Sequence, residues 1–215
     1  MFVCFEGIDG AGKSTQALML ARALETSGVR AEVVADPGTT QIGTAIRQIL
    51  LKNDAPISEM AQMLLFSAAR AELSQYIKNR LTERAGVVIC DRWILSSLVY
   101  QNVLNKIDTE AILTVYHLSQ PAIPDVCFVL DIPPKAARSR MGEPGDRYER
   151  RSMSDCKLLR ERYLDLAAKN HAKFTYVINA EKPIDVTAEK IKRILFALQE
   201  LRSAGIESFD HLKRI

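Results

Sequence analysis

The chain has 215 residues, of which 47% are hydrophobic and 26% charged, and its formal net charge is +3. A chain of this length fits one domain, because single cores grow to about 250 residues before splitting. The positive excess is too small and too scattered for a nucleic-acid or membrane surface, which needs a clustered basic face.

Four cysteines are too few for a disulfide scaffold at this length, and no pair of cysteines or histidines has metal-ligand spacing. Cys4, Cys90 and Cys127 sit in apolar strand-like runs, where a free thiol behaves as a small hydrophobe. No apolar run approaches the roughly 20 residues that span a bilayer. The chain opens straight into a strand pattern, which leaves no room for a cleaved leader. A cytoplasmic location is expected.

In chain order, residues 2–6 are an apolar strand that leads into Gly7-Ile8-Asp9-Gly10-Ala11-Gly12-Lys13-Ser14-Thr15. A helix follows over 13–26, with Gly28 as its stop. Residues 31–35 form a short strand ending in the turn cluster Asp36-Pro37-Gly38-Thr39-Thr40. Ile42, Ala45, Ile46, Ile49 and Leu50 resume helical spacing. Ser58 caps a long helix that runs to about residue 84, with Met60, Met63, Leu64, Ala68, Leu73 and Ile77 as its apolar stripe. Residues 87–90 are a continuous apolar run, as for a strand buried on both faces, and deliver Asp91-Arg92-Trp93 at their end.

Helices are predicted over 94–104 and 109–119, then a buried strand over 126–130 closed by Asp131. A helix from 134 carries Arg138 and Arg140. After the break Gly142-Glu143-Pro144-Gly145 come Arg147, Arg150 and Arg151, a helix over 153–169, a strand over 174–178 and a helix over 184–201. Residues 203–215 are weakly patterned, a short helix or a frayed tail. Strands alternating with helices predict an α/β fold: a five-stranded parallel sheet covered on both faces, three layers in one domain over 1–215. Ligands of such sheets bind beyond the strand C-terminal ends, where Glu6, Asp36, Asp91 and Asp131 all fall.

The pattern G-x-x-x-x-G-K-S between strand and helix is a phosphate-binding loop in its required context. Its glycines let backbone N–H groups approach an anion without a Cβ clash. Those amides and the helix N-terminus make a positive nest. Gly7, Ile8, Asp9, Gly10, Ala11, Gly12, Lys13, Ser14 and Thr15 are thus candidate ligands of a nucleoside triphosphate. Lys13 adds a charge for the terminal phosphates, and Ser14 offers a hydroxyl to Mg²⁺.

Asp91 can hold Mg²⁺ through water, and Arg92 can grip a phosphoryl group bidentately. The competing reading of this pair is a surface salt bridge. Arg138, Arg140, Arg147, Arg150 and Arg151 read as a lid over about 138–153 that sets positive charge over a transferring phosphoryl group. The competing reading is a solvated basic helix face. Phe66 and Arg70, four apart on the long helix, can together stack on and hydrogen-bond a base. They can equally be a core phenylalanine beside an exposed arginine.

Together these segments resemble the bacterial thymidylate kinases. The likeness lies in Phe5 to Gln16, Phe66-Ser67-Ala68-Ala69-Arg70, Asp91-Arg92-Trp93 through Ser96-Ser97 and Tyr100-Gln101, Asp146-Arg147-Tyr148-Glu149, and Arg162 to Ala167. It is ordered, correctly spaced and covers residues 2 to about 200. The resemblance implies transfer of the ATP γ-phosphate to dTMP with Mg²⁺, giving dTDP for dTTP synthesis, in a homodimer that pairs helices such as that over 58–84.

It further implies Asp9 at the sugar 3′-hydroxyl and phosphate region, Phe66 stacked on thymine and Arg70 on its edge. Arg47 and Arg92 reach the acceptor phosphate, Ser97 and Gln101 the base, and Tyr100 lies under the deoxyribose. Because Gly10 stands where some members carry arginine, the catalytic arginine is expected in the lid, at Arg147 with Arg140. The chain departs from the family at Asp36-Pro37-Gly38-Thr39-Thr40, where E-P-G-G-T is usual, at Trp93, and at Asn102. Alternatives are another nucleotide or deoxynucleoside kinase of this fold, or a phosphate-loop switch protein without phosphotransfer.

Overall fold

The computed structural model describes residues 1–52, 55–83, 86–142, 151–169 and 171–203. Among these, β1 (Phe2–Glu6), β2 (Ala31–Ala35), β3 (Val87–Asp91), β4 (Val126–Asp131) and β5 (Phe174–Asn179) form one parallel sheet in the order β2-β3-β1-β4-β5. The helices are α1 (Lys13–Thr26), α2 (Gln41–Lys52), α3 (Glu59–Glu83), α4 (Ile94–Val103), α5 (Thr109–Leu118), α6 (Pro134–Arg140), α7 (Met153–Ala167) and α8 (Ile184–Ser203). The five-stranded α/β architecture predicted from the alternation is the one observed. The expectation for 204–215 lies outside the described residues.

Burial explains the strand sequences. All five residues of β1 and the first four of β3 are buried, whereas β2 and β5, at the edges, are partly exposed. Continuous apolar runs therefore mark the strands covered on both faces. Helices α1 and α8 pack together on one side, while α7 packs against α4, β4 and β5. Cys4, Cys90 and Cys127 are buried free thiols in the three central strands.

The path from β1 to β2 passes β3, and the path from β3 to β4 crosses to the other side of β1. This reversal opens a crevice beyond the end of β1, where ligands of doubly wound sheets bind. Register aligns the polar tips there: Phe5 pairs with Asp91, and Ala35 with Asp91 from the other side.

The apolar stripe of α3 needs correction, whereas α2 forms where its helical spacing placed it. On α3, Met63, Leu73 and Ile77 are buried, but Met60, Leu64 and Ala68 face outward. On α2, Ile46 and Leu50 pack with Ala69 of α3, while Ile42, Ala45 and Ile49 are exposed. Both helices carry apolar residues on two faces, so periodicity alone merged them.

The start of α4 is held from a distance. Its N-cap residue, Trp93, makes no side-chain cap hydrogen bond. The wholly buried Glu6 of β1 supplies the acceptors instead: its Oε1 receives the N–H groups of Trp93 at 2.8 Å and Ser96 at 3.1 Å. Its Oε2 receives the Ser96 hydroxyl at 2.6 Å. Burial pushes the Glu6 carboxyl above its usual range, against the hydrogen bonds from Ser96 and Trp93 and the nearby charge of Arg92. Glu6→Ala removes the acceptor of the buried Trp93 N–H and of the Ser96 hydroxyl and leaves the Ser96 N–H only the Trp93 carbonyl, at 3.2 Å, so it should lower unfolding free energy by about 3 kcal/mol in urea titration. A loss below about 0.5 kcal/mol, the scatter of neutral surface changes, would contradict this capping role.

Candidate active site

A cleft of about 980 Å³ lies beyond the strand tips. Its walls come from the β1–α1 loop, the β2–α2 turn, α3, the β3–α4 junction and the end of α6. Of the residues singled out from sequence, Asp9, Gly10, Ala11, Gly12, Lys13, Ser14, Thr15, Arg47, Phe66, Arg70, Asp91, Arg92, Ser97, Tyr100, Gln101 and Arg140 line it. Gly7 and Ile8 are buried and do not line it. Arg147 is outside the described residues.

The loop is built to receive an anion. Helix α1 starts at Lys13 with no side-chain cap and no acid in its first turn, so its first N–H groups stay open to the cleft. Gly10 has a φ of 79°, and a Cβ there would collide with the Ala137 carbonyl of α6. Only glycine allows the loop to pass that close. Lys13 is buried and donates to the Ile8 carbonyl at 2.9 Å. Burial, reinforced by Arg92, pulls its ammonium down to about 8.

Asp91 and Arg92 do not pair with each other, which removes the salt-bridge reading of this dipeptide. Asp91 accepts from the Ser14 hydroxyl through Oδ2, and its buried Oδ1 has no partner among the described residues. Arg92 turns the other way. Its φ of 74° is a left-handed conformation rare outside glycine, of the kind that clusters at functional sites. Its N–H donates to the Phe5 carbonyl at 2.9 Å. Its guanidinium donates to the Gly7 carbonyl, Ser96 and Tyr163, and forms an ion pair with Asp9.

Asp9 is the meeting point of the site. Its Oδ1 takes Arg92, while its Oδ2 takes the Tyr100 hydroxyl at 3.2 Å and Arg151 at 3.4 Å. Burial opposes its charge, but Arg92, Lys13 and Arg151 outweigh that and hold the carboxyl below its usual range. The same burial, with Asp9 alongside, pushes the Tyr100 phenol up.

On the other wall, Arg70 is buried and ion-paired through Nε with Asp36 at 2.5 Å, and its guanidinium lies 5.9 Å from the centre of the Trp93 ring. This replaces the alternative of an exposed arginine. Phe66 is half-buried beside Leu50 and Ala69. Arg47 reaches the Pro37 carbonyl at 2.9 Å, and Arg140 the Ala180 carbonyl at 2.8 Å. The arrangement offers an anion nest at one end and, across Asp9 and Arg92, a second cationic and aromatic site. That is a geometry for moving a charged group between two ligands.

Two contributors escaped the sequence reading. Glu6 was only a polar strand tip, and Arg151 only a member of an arginine run. Their partners lie far away in sequence, and no local pattern marks them.

Lys13 generates a pH test. The unliganded fold holds its pKa below the unfolded value, so the protein without nucleotide gains stability as pH rises from about 8 to 10. A triphosphate favours the charged amine, so ATP binding takes up a proton and weakens over the same window. Calorimetry with EDTA present, in two buffers of different ionisation enthalpy near pH 9, should show that uptake. Binding without proton exchange would contradict it.

A family model described as thymidylate kinase matches residues 5–191. A thymidylate kinase of Symbiobacterium thermophilum is 38% identical over 209 residues, 95% of this chain and 97% of the relative. That of Pelodictyon phaeoclathratiforme is 37% identical over 207 residues, 91% and 95% of the two chains. That of Thermosipho africanus is 36% identical over 197 residues, covering 91% and 97%. With a phosphate loop facing a second cationic site across one cleft, this chain belongs to the thymidylate kinase family.

Proposed function

We propose that this cleft transfers the γ-phosphate of ATP to dTMP, giving dTDP for dTTP synthesis. The carrying observation is that Lys13 and Arg92 line one cleft and both act on the charge of Asp9. ATP takes the loop of Gly7 to Thr15, with Lys13 on its terminal phosphates and Arg140 at the donor end. The acceptor phosphate takes Arg92 and Arg47. Thymine stacks on Phe66, with Arg70, Ser97 and Gln101 at its edges. Arg70 is suited to this because Asp36 occupies only its Nε, leaving its terminal nitrogens for a base. Asp9 and Tyr100 flank the deoxyribose.

Catalysis here is positioning plus charge stabilisation, since phosphoryl transfer needs little covalent help. Ser14 and Asp91 suit Mg²⁺: a hydroxyl and a carboxylate with an unpartnered buried oxygen are hard donors, and one carboxylate leaves room for water and phosphate. When bound, the ion neutralises charge between the donor phosphates. Arg147 acts as the lid arginine on the transferring group, within a lid over about 138–153 of a single domain.

The protein works as a cytoplasmic homodimer joined through α2 and α3. The exposed Ile42, Ile49, Met60 and Leu64 support that pairing, and the buried free thiols support a reducing compartment. Among the described residues, no helix is long and apolar enough to cross a membrane.

Coupled ADP release with dTMP, dUMP, dCMP and dGMP tests the reaction. The highest kcat/KM should belong to dTMP. Hydrolysis independent of any monophosphate, or a preference for another base, would overturn the assignment. Arg147→Ala should lower kcat about 100-fold, as loss of a donor to transition-state charge does, with little change in dTMP binding. An unchanged kcat would remove this arginine from the chemistry.

A further inference from the structure

Arg151 stands immediately before Ser152, the N-cap of α7. Its side chain is only 8% exposed, because it is drawn into the site. Its guanidinium lies 4.6 Å from the centre of the Tyr100 ring, and that of Arg92 lies 5.3 Å from the same ring. The two arginines also divide the Asp9 carboxylate, Arg92 on Oδ1 and Arg151 on Oδ2. Two cations thus lie against one aromatic ring and share one carboxylate. The backbone is held on its C-terminal side: Arg138 of α6 donates to the Arg151 carbonyl, and the next residue, Ser152, accepts from the Asp155 N–H at 3.0 Å.

This arrangement answers an electrostatic conflict. Arg92 neutralises Asp9, yet the acceptor phosphate needs the same guanidinium. A phosphate arriving there competes with Asp9 for its donors, and a partly buried carboxylate left without a counter-ion repels the phosphate. A second cation on the far oxygen of Asp9 removes the conflict.

We propose that Arg151 is a positioning residue for the phosphoryl acceptor: it holds Asp9 and the Tyr100 ring while Arg92 turns to the acceptor phosphate. The inference rests on the acceptor-site reading of Arg92, Asp9 and Tyr100. The groups that face Asp9 are Lys13 of α1, Arg92 at the β3–α4 junction, Tyr100 of α4 and Arg151 ahead of α7. Removing Arg151 takes away one of the three charges that keep the Asp9 carboxyl low, so the carboxylate protonates at higher pH.

The test uses Arg151→Met and Arg151→Lys, with Arg92→Met as the reference. KM for each substrate, kcat and melting temperature are measured between pH 5 and pH 8. Arg151→Met should raise KM for dTMP about tenfold, the effect of one charge-assisted hydrogen bond. Its KM for ATP should stay close to the parent's, and the acid limb of kcat/KM for dTMP should move to higher pH. Arg151→Lys, which keeps the charge, should recover most of both effects. An unmoved acid limb with an unchanged KM for dTMP would overturn the inference even if the melting temperature fell. So would a rise confined to KM for ATP. Should the methionine variant fail to fold, Arg151→Gln gives the same two readouts. If Arg92→Met also binds dTMP normally, the acceptor-site reading itself fails. If Arg92→Met alone weakens dTMP, only the role of Arg151 fails.

Discussion

A carboxylate removed from water at the end of β1 fixes the geometry on which the site depends. Glu6 receives the N–H of Trp93, just ahead of α4, and that of Ser96 in its first turn, so the strand that leads into the phosphate loop also pins the helix that carries Ser97, Tyr100 and Gln101. Between them the chain must pass through Arg92 in a left-handed conformation. That strain, of the order of 1 kcal/mol or more, persists because both flanks are held: Phe5 takes the Arg92 N–H, and Glu6 takes that of Trp93. The phosphate loop and the wall that carries Arg92 are thereby built from adjacent parallel strands with little freedom to drift apart.

The charges are arranged as shared pairs rather than isolated ions. Asp36 is committed to Arg70 and Asp9 to Arg92 and Arg151, while Lys13 leans on the Ile8 carbonyl. Burying such groups costs more than most ion pairs return. The consequence is function rather than stability. The lysine is held with a lowered pKa, and burial raises the carboxyl of Asp36 despite Arg70. Charged substrates supply what these groups lack, so binding and ionisation are linked at this site.

Much of this was legible in the sequence. The central strands announced themselves because strands covered on both faces must be apolar throughout, and the phosphate loop because its glycines and lysine are fixed by anion chemistry. Helical spacing puts Phe66 and Arg70 on one face, and both line the cleft, yet that spacing could not reveal that Arg70 is buried on Asp36, 34 positions away. The same limit hid Glu6, whose partner Trp93 is 87 positions on, and Arg151, which meets Asp9 across 142. Periodicity also could not separate the two apolar faces of α3, where Met63 packs inward and Met60 and Leu64 do not. What was missed is tertiary pairing, which no local pattern encodes.

The central claim is that one cleft holds both nucleotides, with Arg92 at the acceptor phosphate and Lys13 at the donor. A crystal structure with dTMP and a non-hydrolysable ATP analogue tests it most directly. The acceptor phosphate should lie on the Arg92 guanidinium, thymine against Phe66 with Arg70 at its edge, and the donor's terminal phosphate at Lys13. A monophosphate seated outside this cleft, or within it without touching Arg92, would contradict it.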